Sequence, residues 1–241
     1  MACCKGWIDI HAHILPGVDD GARDWNEADR LLSLSYDQGV RHIIATPHFK
    51  IDQDTKLLRH LSMELELRAN AISENYHISL GQEIMYFESV LDYLDSGKAL
   101  TLAGSRYVLV EFEPSASFHK IKRAVRQLVQ ASYLPVIAHV ERCVSLVQDE
   151  RAGELAGYGA YLQMNAGSLA GGWLDRRSRW CRKSLQKGLI HFLASDMHNM
   201  QNRAPNLNGA VSWIERHAGE ETADQTARSN PGFVLADQIL Q

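Results

Sequence analysis

Seven short apolar runs recur along the chain, at Trp7 to Ile10, His42 to Thr46, Ile78 to Gly81, Tyr107 to Val110, Leu134 to Ala138, Tyr161 to Met164 and Ile190 to Ala194. Between them lie longer stretches, several with apolar residues at helical spacing: Asn26 to Gln38, Thr55 to Glu74, Glu88 to Ser96, Ser117 to Ser132, Asp149 to Tyr158, Trp173 to Lys187 and Asn208 to His217. Short β-rich runs alternating with helices are the pattern of βα units around a parallel sheet. Gly39 and Gly188 fall just past helical stretches, where a left-handed residue closes a helix. No Gly-rich phosphate loop follows the first run, so a distorted (β/α)7 TIM-like barrel fits the order better than an open doubly wound sheet. No linker or repeat divides the chain, and residues 1–241 are expected to form a single domain.

The polar residues sharpen this reading. His11 and His13 follow the first run, His48 the second, Glu83 the third, Glu111 the fourth, His139 the fifth, Asn165 the sixth, and Asp196 with His198 the seventh. In parallel barrels the carboxyl ends of the strands build one site, so residues far apart in sequence meet there. His11 and His13 form an HxH pair on an extended segment, with both imidazoles able to reach one ion. A carboxylate ending a buried strand, such as Glu83 or Glu111, needs a cation or a set of donors beside it. Arg142 follows His139 by three residues and Arg203 follows His198 by five, and a guanidinium beside a metal cluster suits a phosphate group. His11, His13, His48, Glu83, Glu111, His139, Asp196 and His198 are too many ligands for one open four-coordinate ion, which implies two or three ions. Their mix of imidazole and carboxylate suits Mn, Fe or Zn.

Composition narrows the classes. With 45% hydrophobic and 22% charged residues the chain can bury a full core. A net charge of −4 argues against a general nucleic-acid or membrane binder, and no basic groove is expected. Cys3, Cys4, Cys143 and Cys181 show neither disulfide nor zinc spacing, and no signal peptide or apolar run of about eighteen residues occurs, so a cytoplasmic protein is expected. A cysteine phosphatase needs an arginine six positions after its thiol. Asp9, Ile10, Asp149 and Lys187 stand there instead.

Taken together, the segments WIDIHAHILPGVDDGARD, ATPHF, GQEI, LVEF, PVIAHVERC, NAGS and ASDMHN resemble the polymerase-and-histidinol-phosphatase (PHP) superfamily. Within it the resemblance is greatest to the bacterial manganese-dependent protein-tyrosine phosphatases of capsule and exopolysaccharide biosynthesis. It implies a three-metal centre held by the eight ligands above, with Arg142 and Arg203 on the substrate phosphate. It further implies an autophosphorylated bacterial tyrosine kinase with a tyrosine-rich tail as partner. Asp19 and Asp20 match the DDG turn of that family and take a loop-shaping or supporting place. Many relatives carry a second histidine after the equivalent of His48, where this chain has Phe49.

The chemistry expected of such a site is phosphomonoester hydrolysis by a metal-bound water, with His48 or His198 able to supply a proton. Phenolate leaves readily, its parent pKa being about 10, which favours phosphotyrosine. The competing substrate is a small phosphate monoester such as histidinol phosphate.

Overall fold

The computed structural model describes residues 6–147, 151–172 and 174–240. Among the described residues there are eight strands: β1 (Trp7–Ala12), β2 (Val40–Ala45), β3 (His77–Leu80), β4 (Glu83–Met85), β5 (Tyr107–Glu111), β6 (Leu134–Ile137), β7 (Tyr161–Asn165) and β8 (Phe192–Ala194). All pairings are parallel, in the orders β1-β2-β3 and β4-β5-β6-β7-β8. Two seams close these sheets into a barrel. At one, the Asp196 N–H donates to His11 O at 2.9 Å and the His13 N–H to Met197 O at 2.9 Å. At the other, the Phe49 N–H donates to Glu83 O at 2.8 Å and the Glu83 N–H to Pro47 O at 3.1 Å. β3 and β4 are therefore one stave broken at Gly81–Gln82, and the seven-unit barrel of the sequence reading stands with its third strand in two pieces.

The described residues also form ten helices in chain order: α1 (Trp25–Asp37), α2 (Thr55–Ile72), α3 (Val90–Asp95), α4 (Phe118–Gln130), α5 (Val144–Val147), α6 (Arg151–Gly157), α7 (Arg176–Gln186), α8 (Leu207–Ala218), α9 (Glu220–Asp224) and α10 (Asn230–Leu235), the last two joined by a π-helical turn. Asp24, Asp54, Ser117 and Asp175 cap α1, α2, α4 and α7 with side-chain oxygens that accept backbone N–H groups. The helix expected from Trp173 starts later, at Arg176, and the one expected from Asp149 is described from Arg151 on; Asp149 and Trp173 lie outside the described residues.

Alternation along the strands sorts the core into two layers. Ile8 and Ile10, Ile44, Tyr107 and Leu109, Val136 and Ala138, and Phe192 and Ala194 pack together inside the barrel. Ile43, Val108, Val110, Leu162, Met164 and Leu193 face outward into the larger cluster under the helices. The floor of the barrel is an addition to the sequence reading, which placed no helix beyond His217. Val234 of α10 joins the inner cluster with Leu102, and the Tyr107 hydroxyl donates to Gln238 O at 2.7 Å. Arg106 anchors the same segment through Asp237 at 3.0 Å.

The whole-chain charge conceals one local basic row: α4 carries Lys120, Lys122, Arg123 and Arg126 with no acidic residue of its own.

Candidate metal centre

The inward set of alternate residues does not stop at the end of the apolar core. On β5 the series Tyr107, Leu109 runs on to Glu111; after β8, Phe192 and Ala194 are followed by Asp196; along β2, Ile44 leads to Thr46 and His48. The same two-residue period that fills the barrel therefore aims these ligating groups at its mouth. Two positions need backbone help. His139 has φ 29° and Asp196 φ 52°, left-handed values that turn each side chain across the end of its strand. On β1 the register shifts between Asp9 and Ala12, bringing His11 inward. Asp9 is buried and accepts from the Ser195 N–H at 3.0 Å, fastening β1 to the end of β8 rather than facing the cluster.

Glu83 is the hub. Its Oε1 lies 2.8 Å from His139 Nε2 and 3.4 Å from His11 Nε2, and its Oε2 3.2 Å from His13 Nε2 and 3.0 Å from His48 Nδ1. Glu111 Oε1 reaches His139 Nε2 at 3.3 Å, and Asp196 Oδ1 lies 3.5 Å from His11 Nε2. All eight sequence-predicted ligands thus come together. Glu113, two residues beyond Glu111, is exposed.

The tautomers are set from behind. His11 Nδ1 sits 3.1 Å from Gln163 Oε1, and His13 Nδ1 2.7 Å from Asp19 Oδ2, so each ring donates there and turns Nε2 toward the cluster, where an ion would take the place of its proton. Asp19 also accepts from the backbone of His48 at 2.9 Å. Gln163 Oε1 takes the His139 N–H at 2.7 Å, and its amide donates to Asn165 Oδ1 at 2.9 Å. Sequence reading passed over Gln163, an uncharged residue inside an apolar run; its parity with Asn165 on β7 was the available signal. It also left Asp20 as a turn residue. The Asp20 Oδ1 lies 3.4 Å from both His48 Nε2 and His198 Nε2, and the carboxylate joins His13, His48 and His198 as a possible ion-holding group.

The electrostatics call for positive charge. Burial alone would raise the Glu83 carboxyl, yet the charge and hydrogen bonds of His11, His13 and His139 hold it well below the usual range. Burial likewise opposes the His13 and His139 imidazolium forms, but Asp19 with Glu83, and Glu111 with Glu83, push them up to about 10 and about 9. Three groups of donors lie close enough to share a cation: His11, His13 and Glu83; His48, Glu83 and Glu111; His13, Asp20, His48 and His198. His139 Nδ1 and His198 Nε2 are buried without a hydrogen-bond partner among the described residues, the second facing the Asp20 group. Nitrogen and carboxylate donors in this arrangement fit divalent ions.

Six of the ligands are buried, while His48 (36% exposed) and Asp20 (63%) border the opening. Arg142 Nη2 and Arg203 Nη2 donate to the two oxygens of Asp196 at 2.8 and 2.7 Å. Each guanidinium keeps further N–H groups for another anion. Cys143 and Cys181 are buried; burial pushes the Cys143 thiol up to about 12 and the Cys181 thiol higher still, so neither is a nucleophile. Cys3 and Cys4 lie outside the described residues.

A family model described as capsular polysaccharide synthesis, CpsB/CapC, matches residues 7–236. The tyrosine-protein phosphatase CpsB of Streptococcus pneumoniae is 32% identical over 242 residues, spanning 97% of this chain and 100% of that protein. The tyrosine-protein phosphatase YwqE of Bacillus subtilis strain 168 is 33% identical over 222 residues, spanning 89% and 86%. A structure from the crystallographic work on YwqE and CpsB, described there as unique metal-dependent tyrosine phosphatases, superimposes with a TM-score of 0.88 at 31% identity over 97% of this chain and 96% of that chain. The phosphotriesterase homology protein from Escherichia coli, with a TM-score of 0.56 at 12% identity over 96% and 99%, shares the barrel alone.

Proposed function

Since the chain belongs to the CpsB/CapC family of capsular polysaccharide synthesis proteins, we propose that it is a metal-dependent protein-tyrosine phosphatase whose active site is the histidine and carboxylate cluster at the barrel mouth. The observation that carries this reading is the convergence of eight ligating side chains and two arginines on one rim, with Glu83 among four imidazoles.

His11, His13, Glu83, Glu111, His139, Asp196 and His198 would hold the ions, with Asp20 and His48 closing the exposed side. Ions bound there supply Lewis acidity, neutralising phosphoryl charge and making water acidic enough to attack near neutral pH. The remaining work falls to the protein. Gln163 and Asp19 fix the ligand tautomers, and the buried walls keep bulk water from the reacting phosphorus. Arg142 and Arg203 orient the phosphate dianion with the N–H groups that Asp196 does not use. His48 stands at the opening and His198 is buried, so of the two imidazoles His48 is placed to pass a proton to a departing phenolate.

The finer assignments rest on the family and the ligand chemistry: two or three ions, manganese foremost with iron or zinc as substitutes; a bacterial tyrosine kinase with a tyrosine-rich tail as substrate; residues 1–241 acting as one domain in the cytoplasm. Among the described residues no helix is long and apolar enough to cross a membrane.

The test is elemental analysis of the purified protein alongside turnover of a phosphotyrosyl peptide and histidinol phosphate. Bound transition metal, preference for the peptide, and loss of turnover on exhaustive chelation are expected, with thiol alkylation harmless. Full turnover after metal-free dialysis would overturn the metal reading, and preference for histidinol phosphate the substrate.

A further inference from the structure

The charge of the chain is unevenly spread. Between residues 117 and 187 twelve Lys and Arg meet five Asp and Glu, a balance of +7, while elsewhere thirteen meet twenty-four, a balance of −11. The basic share surfaces in a groove of about 710 Å³ along α4, lined by His119, Lys122, Arg123 and Arg126 with Glu88 on the far wall. Arg123 pairs with Glu88, and Lys122 with Glu154 at 3.0 Å. Arg126 is exposed and has no ion pair among the described residues.

One aromatic contact ties the segment of the groove to the segment of the active-site opening. His48 borders that opening, and the next residue, Phe49, stacks on Phe87 with ring centroids 5.5 Å apart and planes 4° apart. Phe87 in turn precedes Glu88. Phe49, Phe87 and Tyr93, the last 5.6 Å from Phe49, form an aromatic cluster that joins the residue after His48 to the residue before Glu88. Glu83 and Glu111, two ligands, open the segments that lead into Glu88 and into α4, so both walls spring from the rim of the barrel mouth.

We propose that the α4 groove binds an acidic stretch of the protein substrate flanking its phosphotyrosine, with the Phe49 and Phe87 rings carrying the peptide between the two. This rests on the phosphatase reading and adds a substrate class to it: phosphotyrosine beside glutamate or aspartate. Charge complementarity selects the occupant, since the lining sets Lys122, Arg123 and Arg126 against Glu88 alone, with Glu154 meeting Lys122 from outside it, a balance that favours an anionic segment. An extended peptide covers about 3.3 Å per residue, and one stacked ring pair with a residue on each side spans roughly 10 to 15 Å, which puts the acidic positions about three to five residues from the phosphotyrosine.

The experiment uses the intact metal-loaded protein, two phosphotyrosyl peptides differing only in glutamate or glutamine three to five residues from the phosphotyrosine on either side, and p-nitrophenyl phosphate. The parent should show a lower KM for the glutamate peptide. In the Arg123→Glu/Arg126→Glu variant that KM should rise about tenfold, the loss of two exposed charge interactions, with kcat unchanged. The glutamine peptide and p-nitrophenyl phosphate should be untouched. Arg123→Gln/Arg126→Gln, which removes charge without reversing it, should give a smaller rise in the same direction, and matching melting temperatures exclude misfolding as the cause. Equal KM values for the two peptides in the parent, or an equal loss on all three substrates in both variants, would overturn the docking site alone. Binding to phosphatidylserine vesicles or a single-stranded oligonucleotide that the variants abolish, with peptide kinetics unmoved, would reassign the groove and overturn it too. A parent that hydrolyses histidinol phosphate and no phosphotyrosyl peptide overturns both readings.

Discussion

The two ends of the barrel are made from the same strands and have opposite chemistry. At the floor, Tyr107, Phe192, Ile8 and Val234 pack into one buried apolar cluster. At the mouth, one or two residues further along the inward series, Glu111, Asp196 and His139 crowd into a buried polar knot. The floor gains from removing apolar surface from water, while the mouth loses solvation and needs cations to offset it. The comparison teaches that stability and chemistry occupy different layers of one cylinder, so substitutions in each should register in different measurements.

The largest expected separation comes from Glu83→Ala. Removing the carboxylate shared by His11, His13, His48 and His139 should lower kcat/KM by more than about 10³-fold and reduce metal content, while circular dichroism stays native. The converse probe is Val234→Asp, which buries an unpaired carboxylate in the floor and should cost about 3 to 4 kcal/mol by urea denaturation, with metal content per folded molecule retained. Loss of metal in that variant would break the comparison. Gln163→Leu tests the layer between them. It leaves His11 Nδ1 and the His139 N–H without their acceptor and should weaken metal binding about 10- to 100-fold by competition with a chelator.

The smallest effect lies in His191, at the floor end of β8, whose Nδ1 accepts the Leu162 N–H at 3.1 Å. Burial lowers its imidazole to about 4, and it lowers His42 to about 4 as well. Above pH of about 6.5 both folded and unfolded states are neutral there and nothing is lost. As pH falls from about 6.5 toward 4, the unfolded chain takes up a proton that the folded one refuses, so stability declines by up to about 1.4 kcal/mol per pH unit for each group. His191→Asn, which keeps an acceptor, should flatten that decline in metal-free protein between pH 6.5 and 5, and an unchanged slope would remove His191 from the account.

Much of the mouth was legible because charged and imidazole residues at the ends of apolar runs have few bland explanations, and their recurrence on six of the seven runs places them on one rim. Gln163 was not, since a neutral amide within Tyr161 to Met164 carries no sign of its hydrogen bonds until β6 and β1 are set beside it. The break at Gly81–Gln82 was hidden for a similar reason: the Gln82 amide bonds Gln53 Oε1 at 2.8 Å and accepts the Leu100 N–H at 2.9 Å, both from distant segments. The floor helices lie beyond the last predicted helix, and α10 begins with Asn230, Pro231 and Gly232, weak helix formers whose proline occupies the first turn, where it is tolerated. Alternation fixed which face each strand would bury; long-range hydrogen bonds decided what the neutral polar residues do.

The seam between β1 and the end of β8 sets an order of events during synthesis. Asp9 and Ser195, hydrogen-bonded across it, are 186 positions apart, and His11 and Asp196 flank the same join. A nascent chain that has emerged only as far as β7 holds most of the ligands but no closed cylinder to bring them together. The donor group that His198 completes therefore cannot assemble until that long-range pairing is made.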